Sequence, residues 1–205
     1  MNPTDWLSPS ACNSYSQFGE DGILQAIFSV IGTQNKWCLE CGAADGLFFS
    51  NTRRLIEQGW YAVLVEADRR EFGKLAQNSK AFGARVKCLN LRVGDESGLD
   101  EILADCGAPL DIDLVVIDVD GQDFYLFNAI HRFRPRVVVI EFALDADENF
   151  LPTLGGSGQA GVGTLMKLAA GKFYTPVFRT LTNLILVRQP LDNLVLRAEI
   201  EPKTI

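Results

Sequence analysis

The sequence predicts an α/β fold: a doubly wound, Rossmann-like sheet, parallel over most of its width and closed by an antiparallel C-terminal hairpin. Short apolar runs alternate with amphipathic stretches of helical period, which is the pattern of βαβ units. Most of these runs are apolar through their middle, as in strands that are buried on both faces. The last two runs are separated by only a few residues, and such a short connection permits only an antiparallel pair.

The elements follow one another regularly. After an N-terminal arm over residues 1–22, apolar residues recur at helical spacing from Ile23 to Ile31 and stop at Gly32, a natural helix end. The predicted strands are 36–41, 61–66, 85–91, 112–118 and 136–142. The helices predicted between them cover both faces of the sheet and are 51–58, 69–79, 99–105 and 123–131. The remainder is a Gly-rich segment at 143–163, a short helix near 164–170, hairpin runs at 173–178 and 183–187, and a tail at 189–205.

Length and composition favour one soluble domain over residues 1–205. The chain is 47% hydrophobic and 22% charged, close to the average for globular proteins. Its formal net charge of −7 repels polyanions, and no Lys/Arg cluster is present, so nucleic acid is not an expected partner. Residues 1–17 show no basic region followed by an apolar stretch, and no run approaches the ~20 apolar residues that span a bilayer, so we expect a cytoplasmic protein without a membrane partner.

Five cysteines at irregular spacing do not suggest a disulfide framework, and we expect them to be reduced. Cys38 and Cys41 have the C-x-x-C spacing of zinc and redox sites. They lie in a predicted strand, however, where residues three apart point to opposite faces. The sequence therefore favours two core cysteines over a metal or redox site.

The segment ECGAADG, residues 40–46, joins the first strand to the next helix, as a nucleotide-binding turn must. Gly42 and Gly46 allow a sharp turn and a close approach to a ligand, and the small Ala43 keeps the turn slim. The spacing differs from the G-x-G-x-x-G that seats a pyrophosphate. Glu40 and Asp45 would repel a pyrophosphate but suit the cationic amino group and sulfonium of S-adenosylmethionine, which we therefore expect as the cofactor.

Two further acids follow later strands. Glu66 ends the second strand, where a carboxylate can accept hydrogen bonds from both hydroxyls of a ribose. We include the adjacent Ala67 in the expected cofactor site. Asp95 follows the third strand, where this architecture usually contacts adenine, although it serves equally well as a turn or N-cap residue before the helix at 99–105.

With these segments identified, residues 16–188 resemble the FkbM-type methyltransferases, a branch of the class I S-adenosylmethionine-dependent enzymes, whose sheet has the layout predicted above. The matching segments are SQFGEDG (16–22), ECGAADG (40–46), SNTRRLIEQGW (50–60), VLVEAD (63–68), IDVDGQD (117–123) and VVVIEF (137–142). The resemblance implies methyl transfer, often to a hydroxyl of a sugar or another small molecule. The chain departs from the family in having IDVDG where many members have IDVEG, and ALDAD after VVVIEF, so the acceptor is not carried over.

Acids also converge where the fourth and fifth strands end. Asp118 and Glu141 could form a general base pair, or bind Mg²⁺, which takes one or two carboxylates. Asp120 is a further catalytic candidate. For Asp118 the alternative is a structural cap on the following turn, and Asp123 fits the first turn of the next helix equally well.

Three segments have two interpretations each. In the N-terminal arm, Gln17 or Asp21 could contact the amino-acid part of the cofactor, or the acids there could cap the first helix. Ser50 and Asn51 could cap a helix and also touch the ligand. The segment 143–163 is long for a connection and suggests a mobile lid over the acceptor, with plain disorder as the alternative. In the tail, leucines predict an extra strand, a dimer contact or packing on the domain itself.

Other functions are weighed against methyl transfer. The only histidine, His131, falls at the end of a helix away from the expected site, so Ser-His-Asp and Cys-His hydrolases lack a partner. An NAD-dependent oxidoreductase is opposed by the glycine spacing and the antiparallel finish. A non-catalytic module that binds S-adenosylmethionine or another nucleoside remains as an alternative. The sequence leaves the oligomeric state open.

Overall fold

The computed structural model describes residues 3–94, 98–156 and 158–198. Seven strands form one sheet: β1 (Trp37–Cys41), β2 (Tyr61–Val65), β3 (Val86–Leu89), β4 (Leu114–Ile117), β5 (Val137–Glu141), β6 (Tyr174–Arg179) and β7 (Asn183–Arg188). The α-helices are α1 (Glu20–Ile31), α2 (Arg53–Glu57), α3 (Arg69–Ser79), α4 (Leu99–Asp105), α5 (Asp123–Ala129), α6 (Val162–Gly171) and α7 (Asp192–Arg197). Two 3₁₀-helices cover Asp5–Ser10 and Lys80–Arg85.

The sheet has the strand order β3-β2-β1-β4-β5-β7-β6. β1 to β5 are parallel, while β7 runs antiparallel to both β5 and β6. The chain leaves β1 in one direction to build β2 and β3 and returns to build β4 on the other side of β1. In doubly wound sheets this reversal leaves a crevice at the carboxyl ends of the strands. The predicted parallel sheet with its antiparallel hairpin is confirmed.

Helices cover both faces of the sheet and enclose two apolar cores. The first core lies under α4, α5 and α6 and includes Leu39, Val115, Leu103, Phe127 and Leu165. The second lies under α1, α2 and α3 and includes Cys38, Val116, Leu24, Ile56 and Leu75. Neighbouring residues of one strand enter opposite cores, because side chains alternate across a strand.

Cys38 and Cys41 belong to different cores, on opposite faces of β1. All five cysteines are free thiols. The prediction that this C-x-x-C contributes to the core is confirmed.

Several strands end one residue before their predicted ends. Glu66, Asp118 and Phe142 each stand just past the last strand residue. The backbone N–H of Glu66 still bonds to Leu89 O and that of Asp118 to Cys41 O. The chain thus leaves the sheet where it turns toward the crevice.

The arm and the tail pack together on α1. Leu7 of the arm is fully buried, and the Trp6 indole donates a hydrogen bond to Val195 O in α7. Within the described tail, residues 192–197 form a helix, so of the three interpretations left open for the tail leucines, the extra strand does not apply to these residues. The short loop after β7 redirects the chain across α1, where Val195 is buried while Leu194 stays half exposed. None of the described helices is both long enough and apolar enough to cross a membrane.

Candidate active site

A cavity of about 970 Å³ opens at the carboxyl edge of the sheet. Its walls come from the loops that follow β1, β2, β3 and β4, and so it lies at the point where the strand order reverses. Ligand sites in such sheets occur at this position and typically measure about 300–1,000 Å³. The cavity is therefore the candidate active site.

Gly42 lets the turn after β1 lie against the end of β4. Its φ is +78°, and a Cβ atom there would stand 1.6 Å from Asp118 O. The N–H groups of Gly42 and Ala43 both donate to Val65 O at 3.0 Å, which fixes the turn to β2. Gly42 and Ala43 line the cavity as predicted, and the close approach that requires glycine is to β4.

Asp45 and Gly46 shape the same turn from outside the cavity. Asp45 Oδ1 accepts hydrogen bonds from the N–H groups of Leu47 and Phe48, at 2.9 and 3.0 Å. A Cβ on Gly46 would stand 2.5 Å from Leu75 in α3. Neither residue contributes to the cavity wall, so the direct cofactor contact expected of both remains a prediction, and the geometry gives them a role in supporting the turn.

Glu40 lies at the back of the cavity, but its carboxylate is engaged by the protein. It accepts hydrogen bonds from Ser50 Oγ at 2.8 Å, Asn51 N at 2.7 Å and Thr52 Oγ1 at 2.5 Å. Burial raises the pKa of Glu40 to about 7. Ser50 reaches the cavity wall and Asn51 does not. Asn51 Oδ1 is buried and has no hydrogen-bond partner among the described residues.

Glu66 lies on the cavity wall at the end of β2, with Ala67 beside it. Its two carboxylate oxygens accept hydrogen bonds from Ala44 N at 2.8 Å and Asp68 N at 2.7 Å. These bonds orient the carboxylate and leave each oxygen a further lone pair for another donor. Glu66 is thus free to accept further hydrogen bonds inside the cavity, while its contact with ribose and the contact of Ala67 with the cofactor stay predictions.

Asp118, Asp120 and Glu141 come together as predicted, with carboxylate oxygens within 4.8 Å of one another. Burial raises the pKa of Asp118, whose carboxylate accepts a hydrogen bond from Glu141. Burial and the negative charge of Asp118 raise the pKa of Glu141 to about 9. At neutral pH the pair therefore retains a proton, which the raised pKa of about 9 assigns to Glu141.

Asp123 holds the turn that presents these acids. It is the first residue of α5, and its carboxylate accepts hydrogen bonds from Val119 N at 2.9 Å and Gly121 N at 3.0 Å. Burial raises the pKa of Asp123 to about 6. The structural interpretation of Asp123 is thus confirmed, and the turn leaves Asp120 exposed at a φ of +57°.

The Gly-rich segment lies against the acids, through residues that sequence reasoning missed. Gln159 Nε2 donates a hydrogen bond to Glu141. Gln122 bonds to Gly156 O at 2.9 Å and accepts from Gly155 N at 3.1 Å. These partners lie 18 or more residues apart in the chain. No local pattern could have signalled such contacts.

Glu20 is a second missed member of the acidic site. It is fully buried at the start of α1, and its charge contributes to the raised pKa of Asp118. Glu20 Oε1 accepts from Asn183 Nδ2 at 3.1 Å, and Asn183 pairs with Glu141 across the sheet. The SQFGEDG segment thus contributes an acid to the site, at a position that sequence reasoning considered only as a helix cap.

Other predicted residues lie away from the cavity. Gln17 is exposed and does not line it, and Asp21 accepts hydrogen bonds from the N–H groups of residues 14–16. The N-cap of α1 is Gly19. His131 follows α5 at the opposite edge of the sheet, as expected. Asp95 lies outside the described residues.

Solved structures with a similar fold are S-adenosylmethionine-dependent methyltransferases. The magnesium protoporphyrin IX methyltransferase of Synechocystis PCC 6803, solved with S-adenosylhomocysteine, is 13% identical over 87% of this chain and 90% of its own, with a TM-score of 0.51. A TehB-like methyltransferase from Corynebacterium glutamicum is also 13% identical, over 89% of this chain and 92% of its own, with a TM-score of 0.51. An S-adenosylmethionine-dependent methyltransferase from Aquifex aeolicus is 8% identical over 91% of this chain and 97% of its own, with a TM-score of 0.50.

These likenesses show that the chain has the Rossmann-like α/β fold of class I methyltransferases. No protein-family model matches the sequence, and the search of curated proteins found no match. Membership of the FkbM branch therefore stays a prediction.

Proposed function

We propose that the chain is an S-adenosylmethionine-dependent methyltransferase that methylates a hydroxyl of a small molecule, such as a sugar. The observation that carries the proposal is one cavity with Glu66 on its β2 side and Asp118 on its β4 side. The cavity has the volume of a cofactor site. Its acidic residues suit a cofactor with a sulfonium and an ammonium group.

The β2 side of the cavity binds the nucleoside in this proposal. Glu66 accepts hydrogen bonds from the two ribose hydroxyls, since its oxygens are already oriented by Ala44 and Asp68. Ala67 lies beside the ribose, and Leu91 and Val93, which follow β3 and line the cavity, offer an apolar surface to the adenine.

The β4 side carries out the proton transfer. When bound, S-adenosylmethionine supplies a methyl carbon that is already activated by the sulfonium. Asp118, the ionised partner of the pair, takes the proton of the acceptor hydroxyl as the oxygen forms its bond to the methyl carbon and the carbon–sulfur bond breaks. Glu141 keeps its own proton and positions Asp118 by hydrogen bonding, while Gln159 holds Glu141.

The same acids provide oxygen ligands of the kind that Mg²⁺ takes, because three carboxylates lie within 4.8 Å of one another. A metal requirement remains a prediction. It is checked by whether EDTA removes methyl transfer and Mg²⁺ restores it.

Calorimetric titration tests the proposed cofactor. We expect S-adenosylmethionine and S-adenosylhomocysteine to bind with micromolar affinity and NAD not to bind. Glu66→Gln should weaken the binding of S-adenosylmethionine and of S-adenosylhomocysteine by about tenfold or more, because hydrogen bonds to a charged carboxylate are lost. Glu101→Gln, which removes an exposed acid of α4, is the control and should bind as the unaltered protein does.

Each alternative has its own outcome. Binding of NAD alone would support an oxidoreductase and overturn the proposal. Cofactor binding without methyl transfer to any hydroxyl compound in a broad screen would support a non-catalytic module.

A further inference from the structure

Two neighbouring aromatic side chains project from the cavity wall. Phe48 and Phe49 follow the glycine turn, and 73% and 62% of their surfaces are exposed. Large apolar side chains in water are unfavourable, and an exposed apolar pair on a cavity wall indicates a ligand surface.

The loop that carries the pair is fixed on both sides. Asp45 Oδ1 accepts from Leu47 N and Phe48 N on one side. On the other side the Glu40 carboxylate accepts from residues 50–52. Phe49 itself has a φ of +62°, a conformation that residues other than glycine seldom adopt. The pair is therefore held outward before any ligand arrives.

Exposure and backbone strain alone do not identify a site. Phe173 has the same two properties, with 66% exposure and a φ of +63°. It precedes β6, which runs in the same direction as β5, and so it lies at the amino edge of the sheet, far from the cavity. What distinguishes Phe48 and Phe49 is that they line the cavity.

The order of the strands places the pair beside the acids. Along the carboxyl edge the loops follow one another as β3, β2, β1 and β4, so Phe48 and Phe49 lie between Glu66 and Asp118. With the ribose on Glu66 and the adenine over β3, the nucleoside occupies the β2 and β3 side. The aromatic pair then borders the space where donor and acceptor meet.

Charges of both signs line the β2 and β3 side of the cavity, where the basic Arg69 and Arg92 stand beside the acidic Glu66, Asp68 and Glu71. Among the described lining residues that follow β1 and β4, the charged side chains Asp118 and Asp120 are acidic and none is basic. An anionic acceptor would be repelled by this wall.

We propose that Phe48 and Phe49 determine acceptor specificity: they bind the apolar face of an uncharged or cationic ring compound whose hydroxyl reaches Asp118. This proposal rests on the proposed function and narrows its substrate class. It commits the pair to the acceptor, whereas contact with the sulfonium of the cofactor is the competing role.

A matched set of phenols tests the proposal. Tyramine, tyrosol and 4-hydroxyphenylacetate share a ring and a hydroxyl and differ in charge, being cationic, neutral and anionic. Titrated into the protein saturated with S-adenosylhomocysteine, the first two should bind, and the anion should bind about tenfold more weakly. Ethanolamine, which has a hydroxyl and an amine but no ring, should not bind.

Substitutions then locate the ring. Phe48→Ala and Phe49→Ala should each weaken the binding of tyramine and of tyrosol about tenfold. Both should leave the affinities for S-adenosylmethionine and S-adenosylhomocysteine unchanged. Phe173→Ala is the control, matched in exposure and backbone conformation, and should change none of these affinities.

The remaining outcomes overturn the proposal. Binding of none of the three phenols, or stronger binding of the anion, excludes the proposed acceptor class. Weaker binding of S-adenosylmethionine with unchanged binding of S-adenosylhomocysteine assigns the pair to the sulfonium. If S-adenosylhomocysteine does not bind the unaltered protein, the proposed function itself has failed.

Discussion

Strand β4 has an aspartate at each end, and the two are surrounded in opposite ways. Asp113, just before the strand, is fully buried, and it accepts hydrogen bonds from three successive backbone N–H groups at residues 34–36 and from Arg136 at 2.5 Å. Asp118, just after the strand, faces other acids, namely Glu20, Asp120 and Glu141.

The difference indicates what each edge of the sheet is for. At the amino edge the negative charge of Asp113 is balanced by Arg136 and by backbone N–H groups, so this aspartate stabilises the fold. At the carboxyl edge like charges are held together, and burial and repulsion raise pKa values at a cost in stability. Like charges that are held together at a cost in stability are typical of sites that bind a ligand or catalyse a reaction.

The largest expected effect is at the amino edge. Asp113→Ala leaves the buried Arg136 without its ionic partner and three N–H groups without an acceptor, and should lower the free energy of unfolding by about 3–5 kcal/mol. Urea unfolding measures this loss. The control is Asp111→Ala, which breaks an ion pair with Arg188 at the same edge. The Asp111 side chain is 46% exposed, so we expect a loss below about 1 kcal/mol. Equal losses would contradict the contrast.

A smaller loss is expected where the two halves of the carboxyl edge touch. Gly42→Ala combines an unfavourable positive φ with a Cβ atom 1.6 Å from Asp118 O, and should cost about 3 kcal/mol. Gly59→Ala also has a positive φ, of +94°, but no atom within 4 Å of the added Cβ, and should cost about 1 kcal/mol. Urea unfolding of both variants separates the steric clash with Asp118 from the backbone strain that both variants share. A loss of unfolding free energy for Gly42→Ala no greater than for Gly59→Ala would show that the turn does not lie against Asp118.

The β1 and β2 side of the cavity was largely predictable from sequence, because its parts are local. A turn with Gly42 must follow the first strand, and Glu66 must follow the second, so both are placed once the strands are identified. The strands themselves were readable because most of them are apolar through their middle. The tail was not, since Val195 is buried by α1 and the arm, which lie far away in the sequence.

The acidic side was predictable only in part. The ends of β4 and β5 bring Asp118 and Glu141 together in any parallel sheet. Glu20 and Gln159 join them through contacts across the whole fold, and no spacing signals those. Asp45 and Gly46, although part of the recognised motif, contact Leu47, Phe48 and Leu75 and do not line the cavity.

A still smaller effect on stability, with a clear electrostatic signature, is expected for Asp118→Asn. Removing this charge also removes its repulsion with the neighbouring acids. The free energy of unfolding should therefore change by no more than about 1 kcal/mol. The pKa of Glu141 should fall from about 9 but stay above its usual value, because burial, the larger cause, remains. Carbon-13 NMR of the glutamate carboxyl groups measures the shift. An unchanged pKa would show that the two carboxyls do not interact.

The last effect concerns the dependence of stability on pH. The folded protein holds a proton on Glu141 up to about pH 9, whereas an ordinary glutamate releases it near 4.5. Stability from this group is therefore present at low pH and is lost as the pH rises between those values. The pKa values of Asp123 and Glu40 are also raised, to about 6 and about 7. These two acids therefore lower the stability in the same way, but at lower pH than Glu141 does.

Glu141→Gln should therefore flatten the decline in unfolding free energy from about pH 8 to about pH 9, where Asp123 and Glu40 are already largely deprotonated and Glu141 is still titrating. Urea unfolding at several pH values measures the slope. Glu101→Gln, at an exposed position, should keep the full slope. If Glu141→Gln keeps it as well, the proton is not on Glu141.

A crystal structure of the protein with S-adenosylhomocysteine tests the central claim most directly. The account predicts the ribose hydroxyls on the Glu66 carboxylate, the adenine over the end of β3, and the sulfur directed toward Asp118. A nucleoside bound in the reverse direction, or away from this cavity, would contradict the account.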